Sequence, residues 1–216
     1  MASYLEQSLA KLEEFEGSIP WMYLDTVGRV TVGVGLMLPH AAAAAQLPFC
    51  FGERSATEEE ITAEFSRVDA LPMGRAALFY RRKGGPELGK PEIDSLLLTV
   101  LRGFEDDLRA HLTGYDSYPD GVKMALLDMV YNLGPAGLLN GYPRLLKAVE
   151  SGAWAQAAAV SFRHGPGATR NQWTRTMFLQ NVVGSVTAVA ESGLKRFGYG
   201  LIGLGADLWS IATRRR

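Results

Sequence analysis

Residues 4–35 read YLEQSLAKLEEFEGSIPWMYLDTVGRVTVGVG, and the hydrophobic period changes partway along. Leu5, Leu9, Leu12 and Phe15 recur at spacings of four and three, which predicts an amphipathic helix over 4–16 that stops at Gly17. Glu16 falls at the end of that apolar stripe. Beyond the turn at Pro20, the runs Met22 to Asp25 and Arg29 to Val34 are rich in aromatic and β-branched residues and flank Thr26-Val27-Gly28, which predicts a short hairpin. A helix therefore feeds a small sheet.

Outward from this block, residues 39–90 read as an inserted or variable segment, with an alanine run at 41–45 and one clear helix start, the capping pair Thr57 and Glu60. From Pro91 the stripe Ile93, Leu96, Leu97, Val100, Leu101, Phe104, Leu108 and Leu112 predicts a helix of about 22 residues, roughly 33 Å, long enough to join two lobes. On it Glu105, Asp106 and Asp107 face solvent by periodicity. Three more helices are expected near 120–133, 142–150 and 153–162, separated by Gly134-Pro135 and Ser151-Gly152. Residues 1–180 are read as one catalytic domain and 181–216 as a helical extension. The extension keeps an apolar stripe despite many glycines, so it is helical only if something packs on it. Its open roles are packing on the domain, docking on a partner, or weak contact with an anionic membrane surface through Arg214-Arg215-Arg216.

Composition narrows the function. A formal net charge of −1 supplies no domain-wide basic field to attract phosphates, so no nucleic-acid partner is expected. Cys50 is the only cysteine and is read as a small buried apolar residue in a loop. His40, His111 and His164 lack metal-ligand spacing, and neither a metal nor a cofactor is expected. Residues 1–17 lack a basic start followed by an apolar stretch, so export by a signal peptide is not expected. Glu13, Glu14 and Glu58 to Glu60 read as solvated charges.

Glu16 and Asp25 are the candidate chemistry. Cleavage of a glycosidic bond needs one carboxylic acid that keeps its proton and one ionised carboxylate. A helix C-terminus and a buried stripe both disfavour the anion at Glu16, whereas a polar turn keeps Asp25 hydrated and charged. Thr31, on the second hairpin strand, is expected to turn its hydroxyl to the same cleft and hold a water. Gly33 and Gly35 are expected to let a sugar ring approach closely.

Glu16-Gly17, Tyr23-Leu24-Asp25, Gly28, Thr31, Gly33 and Gly35 stand at spacings that resemble the T-even phage lysozymes. The likeness resumes in Leu127 to Gly134, similar to that family's cleft-lining helix, and in Trp154, Arg170 and Met177-Phe178-Leu179. The resemblance implies a mostly α, α+β lysozyme-like fold, with a small helix and hairpin lobe joined by a long helix to a helical lobe. It further implies a muramidase acting on peptidoglycan between N-acetylmuramic acid and N-acetylglucosamine, with inversion. Glu16 would be the general acid and Asp25 and Thr31 would position water. Gly35, Tyr131 and Asn132 would contact the saccharide, and Arg170, or else Arg175, would pair with Glu16. Leu36 stands where the family often has histidine, so an ion pair of some relatives is missing here. Without a signal peptide, the enzyme would reach the periplasm or wall through a holin or a secretion apparatus, the latter implying a delivery or immunity protein as partner. The rival readings are a lytic transglycosylase using Glu16 alone and a non-catalytic lysozyme-like module that binds wall or a partner.

Overall fold

The computed structural model describes residues 2–182; the tail pattern read from 182 onward lies, but for Val182, outside the described residues. Within them the chain runs α1 (Tyr4–Glu16), β1 (Ile19–Leu24), β2 (Val30–Gly33), β3 (Leu36–Met37), α2 (Ala41–Ala45), β4 (Cys50–Phe51), β5 (Arg54–Ser55), α3 (Glu58–Asp69), α4 (Ala77–Tyr80) and α5 (Lys90–His111). A 3-10 turn at Tyr115–Ser117 follows, then α6 (Asp120–Gly141), α7 (Pro143–Glu150), α8 (Trp154–Val160) and α9 (Ala168–Leu179). The architecture is α+β and mostly helical, with a small sheet.

The first helix forms where its stripe places it. Ser3 and Glu6 bond reciprocally across the first turn, which satisfies two of the amide groups that a helix start leaves open. Gly17, at φ 76°, ends it, a backbone conformation that L side chains avoid. Leu9 and Leu12 are buried, and α1 packs on α5 and α6. The first helix thus stands with the helical part of the molecule, although the sequence grouped it with the hairpin. The hairpin is present and gains a strand: β2 is central, pairing Tyr23 with Thr31 on one side and Thr31 with Met37 on the other. Being central, β2 has all four residues buried.

The segment 39–90 is more ordered than its composition indicates. His40 Nδ1 accepts the Ala43 N–H and so caps the alanine run, which becomes α2 and packs on α3. Cys50 is half-buried in the strand β4 rather than buried in a loop, and its backbone pairs with both Ser55 and Glu87. The start of α3 is the expected capping box, with Thr57 N–H donating to Glu60 Oε2 at 2.9 Å and Glu60 N–H to Thr57 Oγ1 at 3.3 Å. Arg54, and then the Thr57 amide, hold the Glu60 carboxyl down to about 2. Because the folded value is depressed, this contribution is complete above the ordinary carboxylate range and is lost as pH falls toward 2. Thr57→Ala should cost about 1 kcal/mol, read as a melting temperature lower by about 2–4 °C; an unchanged melt would deny the cap that role.

Helix α5 carries two stripes, and this decides where the cleft lies. Ile93, Leu97, Leu101 and Leu108 are buried in the core. Leu96, Val100 and Phe104, spaced by four on the neighbouring face, are only half-buried and line a hollow beneath the sheet. An apolar face wider than one core requires was the trace of that second role. Glu105 departs from expectation: it is buried, not solvent-facing, and lies 2.9 Å from Arg109 one helical turn on, while Asp106 and Asp107 are exposed. A carboxylate can stay buried when a guanidinium compensates it.

Helix α6 is the centre of the helical part, buried without interruption from Val122 to Val130. At Gly134, φ 69° and ψ 162°, its direction breaks, and Pro135 opens a new helical run to Gly141. The sequence placed the helix end at Gly134-Pro135 and missed that run. α7 and α8 follow within two residues of their expected limits, and α9 closes the helical part against α6 and α8.

Candidate active site

A hollow of about 370 Å³ lies between the hairpin and α5. Val32 to Met37 form one wall, the half-buried stripe of α5 forms the floor, and Tyr131, Asn132 and Glu16 close one end. A second hollow, also about 370 Å³, lies beyond, between Phe15 and the start of α9. Glu16 and Asn132 line both, so the carboxylate stands where the two meet.

Glu16 is less enclosed than its stripe position indicates, its side chain being 35% exposed. The helix ends at the next residue, so no further turn of α1 covers it, and the carboxyl emerges at the mouth of the cleft. Its partner is Arg170, whose Nη1 donates to Glu16 Oε1. Arg175, the other candidate, is exposed. Arg170 Nε also donates to Asp128 Oδ1 at 2.6 Å. Burial works against the Arg170 charge, but Asp128 and Glu16 outweigh it and hold the guanidinium above the ordinary arginine value.

Behind this pair lies a network that the sequence reading missed. Asp128 Oδ2 accepts from Arg163 Nη2 at 2.6 Å and from Thr174 Oγ1 at 2.7 Å, while Arg163 Nη1 donates to the Asp128 carbonyl at 3.1 Å. Asn171 clamps the Arg163 backbone, accepting its N–H at 3.0 Å and donating to its carbonyl at 2.9 Å. All of these residues are buried. The formal charges of Glu16, Arg170, Asp128 and Arg163 alternate and sum to zero, which suits ions withdrawn from water. One signal was legible: an aspartate inside the apolar run Ala125 to Val130 must have a buried partner. Nothing in Ser161-Phe162-Arg163 marks the partner.

Tyr131 binds the two walls together. Its hydroxyl donates to the Val34 carbonyl in the turn between β2 and β3, and its ring meets Phe104 edge to face. Burial, then the charge of Glu16, push its phenol up. Gly35 lies under that hydroxyl: a Cβ there would sit 3.6 Å from it. Gly33, at φ 66°, brings β2 close to α5, where a Cβ would meet Ile93 Cγ2 at 3.1 Å. Both glycines line the cleft, yet the close approach at Gly33 is already used by Ile93, and a Cβ on Gly35 would be in ordinary contact with the Tyr131 hydroxyl.

Asp25 and Thr31 line neither hollow. Asp25 holds the hairpin turn, its Oδ1 accepting the N–H groups of Val27 at 2.9 Å and Arg29 at 2.8 Å. Thr31 is buried and its hydroxyl donates to the Arg29 carbonyl at 3.0 Å, so it is not turned to a water in the cleft as the sequence reading expected. A buried hydroxyl takes the nearest acceptor, here a backbone carbonyl two residues upstream. Burial, then the charges of Asp25 and Glu16, push the Tyr23 phenol up. Among the described residues no three of His, Cys, Asp and Glu gather as a metal site requires.

No protein-family model and no curated protein matches this chain.

Proposed function

We propose that the chain is a muramidase with a fold of the T-even phage lysozyme type, and that Glu16 is its general acid. The observation that carries this reading is the place of Glu16 at the junction of two hollows, with room for sugar on either side. An extended glycan laid along both would bring one glycosidic oxygen to this carboxyl, where a proton must be delivered to the leaving group. Because Arg170 also answers to Asp128, its hold on Glu16 is divided, and substrate entering beside Glu16 would meet a carboxyl whose partner is already shared. Asp25 supplies the second carboxylate. Both of its backbone bonds go to Oδ1, which leaves Oδ2 to orient a water, while Thr31 supports the turn by holding the Arg29 carbonyl. Asn132, Tyr131 and Gly35 would border the sugar rings.

Peptidoglycan is the proposed substrate, reached at the periplasm or wall after passage through a holin or a secretion apparatus. An immunity or delivery protein would be the partner in the second case.

A second reading draws on a specific observation: neither Asp25 nor Thr31 lines the cleft, as suits an enzyme that needs Glu16 alone. A lytic transglycosylase would close the muramic acid onto itself and form a 1,6-anhydro end without water. Digestion of purified peptidoglycan separates the two by product mass, since the anhydro product is lighter by one water. Hydrolysis predicts water-containing reducing ends and a loss of about 100-fold or more in Asp25→Asn. Anhydro products with an unimpaired Asp25→Asn would establish the transglycosylase. Glycan binding with no cleavage at all would leave the chain a non-catalytic module.

A further inference from the structure

The segment between Asp69 and Glu87 is unlike the rest of the molecule in both charge and exposure. It holds Arg75, Arg81, Arg82 and Lys83 and no carboxylate, in a chain whose formal net charge is −1. It also presents Met73 at 57%, Leu78 at 67% and Phe79 at 50% exposure, among the most exposed large apolar side chains of the described residues. The fold holds these parts together. Tyr80, fully buried, donates its hydroxyl to the Pro72 carbonyl at 2.9 Å and closes 72–80 into a loop. Trp21 Nε1 donates to the Ala77 carbonyl at 2.9 Å and ties α4 to β1. Met73 reaches the neighbouring hairpin turn, its sulfur 3.5 Å from where a Cβ on Gly28 would stand, next to Val27, which is 65% exposed.

Two of these cations stack on aromatic rings, and Lys83 is exposed in the turn that follows α4. Arg75 lies over the Phe79 ring at 5.6 Å and Arg81 over the Trp21 ring at 4.5 Å. Arg81 and Arg82 also pair with Glu87 and Glu64, whereas Arg29, Arg75 and Lys83 form no ion pair among the described residues. Arg29 follows Gly28 in the same turn and is exposed.

We propose that this face, Val27, Met73, Leu78 and Phe79 with Arg29, Arg75 and Lys83, docks the protein on an anionic phospholipid surface. Apolar side chains on a short helix and two turns, with cations on the same segments, match the boundary between phosphates and acyl chains. Arginines stacked on aromatic rings suit the same depth. A protein partner would need a broad surface of about 800 Å² on each side with few charges at its centre, which separate tips do not offer. Among the described residues no helix is long and apolar enough to cross a membrane. This docking does not depend on the reading of Glu16, and vesicle binding without peptidoglycan tests it separately.

The experiment is sedimentation of the full chain with vesicles of phosphatidylethanolamine and phosphatidylglycerol, against vesicles of phosphatidylcholine alone. The parent should pellet with the anionic vesicles only and release as salt is raised. Arg75→Gln and Lys83→Gln should each weaken binding about fivefold. Leu78→Asp with Phe79→Asp should bring it to the phosphatidylcholine level while the melting temperature stays near that of the parent. Absence of parent binding overturns the proposal. So does undiminished binding in the patch variants, the result expected if Arg214-Arg215-Arg216 made the contact, or binding to a soluble polyanion but not to vesicles.

Discussion

Glu16→Gln should abolish release of reducing ends from peptidoglycan, a loss of at least about 10²–10⁴-fold, in a protein that melts close to the parent. The loss is large because glutamine has no acidic proton to give, and the bond to the leaving oxygen breaks only as that proton arrives. The fold should tolerate the change. The side chain is 35% exposed at the end of α1, and the amide oxygen can still accept from Arg170 Nη1. What remains beyond is the buried pairing of Arg170, Asp128 and Arg163, which does not touch residue 16 directly except through Arg170. Glu16→Asp is the finer test, since it keeps the acid but draws it back by one methylene from the junction of the two hollows. A folded Glu16→Gln protein that cleaves peptidoglycan at the parental rate would end the enzymatic reading of this site.

Asp128→Ala should be the most destabilising single change in the site, by about 3–5 kcal/mol. That is a large share of the roughly 5–15 kcal/mol that holds a domain folded, and it corresponds to a melting temperature lower by about 6–20 °C. The reason is electrostatic. Asp128 is 2% exposed and stands between Arg163 at 1% and Arg170 at 8%, so its removal leaves the buried Arg163 guanidinium with no carboxylate and Arg170 with Glu16 alone. Thr174 Oγ1 loses one of its two acceptors and keeps the Arg170 carbonyl at 3.0 Å. If this account holds, Arg163→Met in the Asp128→Ala background should restore part of the loss, because one uncompensated charge is removed with it. A melt of Asp128→Ala within about 1 kcal/mol of the parent would show that the network contributes little.

Much of this site is legible in the amino-acid sequence. The helix stripe of Leu5, Leu9 and Leu12, the stop at Gly17, the hairpin beyond Pro20 and the long stripe from Ile93 identify the elements that carry Glu16 and floor the cleft. Thr57 with Glu60 marked its helix start to the residue. These features rest on interactions within about four positions along the chain, where periodicity, caps and turn residues carry the energy.

Other features come from packing and have no local sign. Arg170 meets Glu16 across 154 positions of chain and Asp128 across 42, and only the docking of α1 and α9 on α6 brings them together. Periodicity assigned Glu105 to solvent and Glu16 to the interior. The structure reverses both, because burial depends on what covers a position: α1 stops before anything can cover Glu16, whereas the 3-10 turn Tyr115–Ser117 packs against α5 where Glu105 finds Arg109. The Thr31 hydroxyl likewise follows a nearby backbone acceptor, the Arg29 carbonyl, and not the cleft water expected for it. Local chemistry thus sets which elements form and where they end; the contacts between elements set which charges are compensated, and so which carboxylate is left open to a substrate.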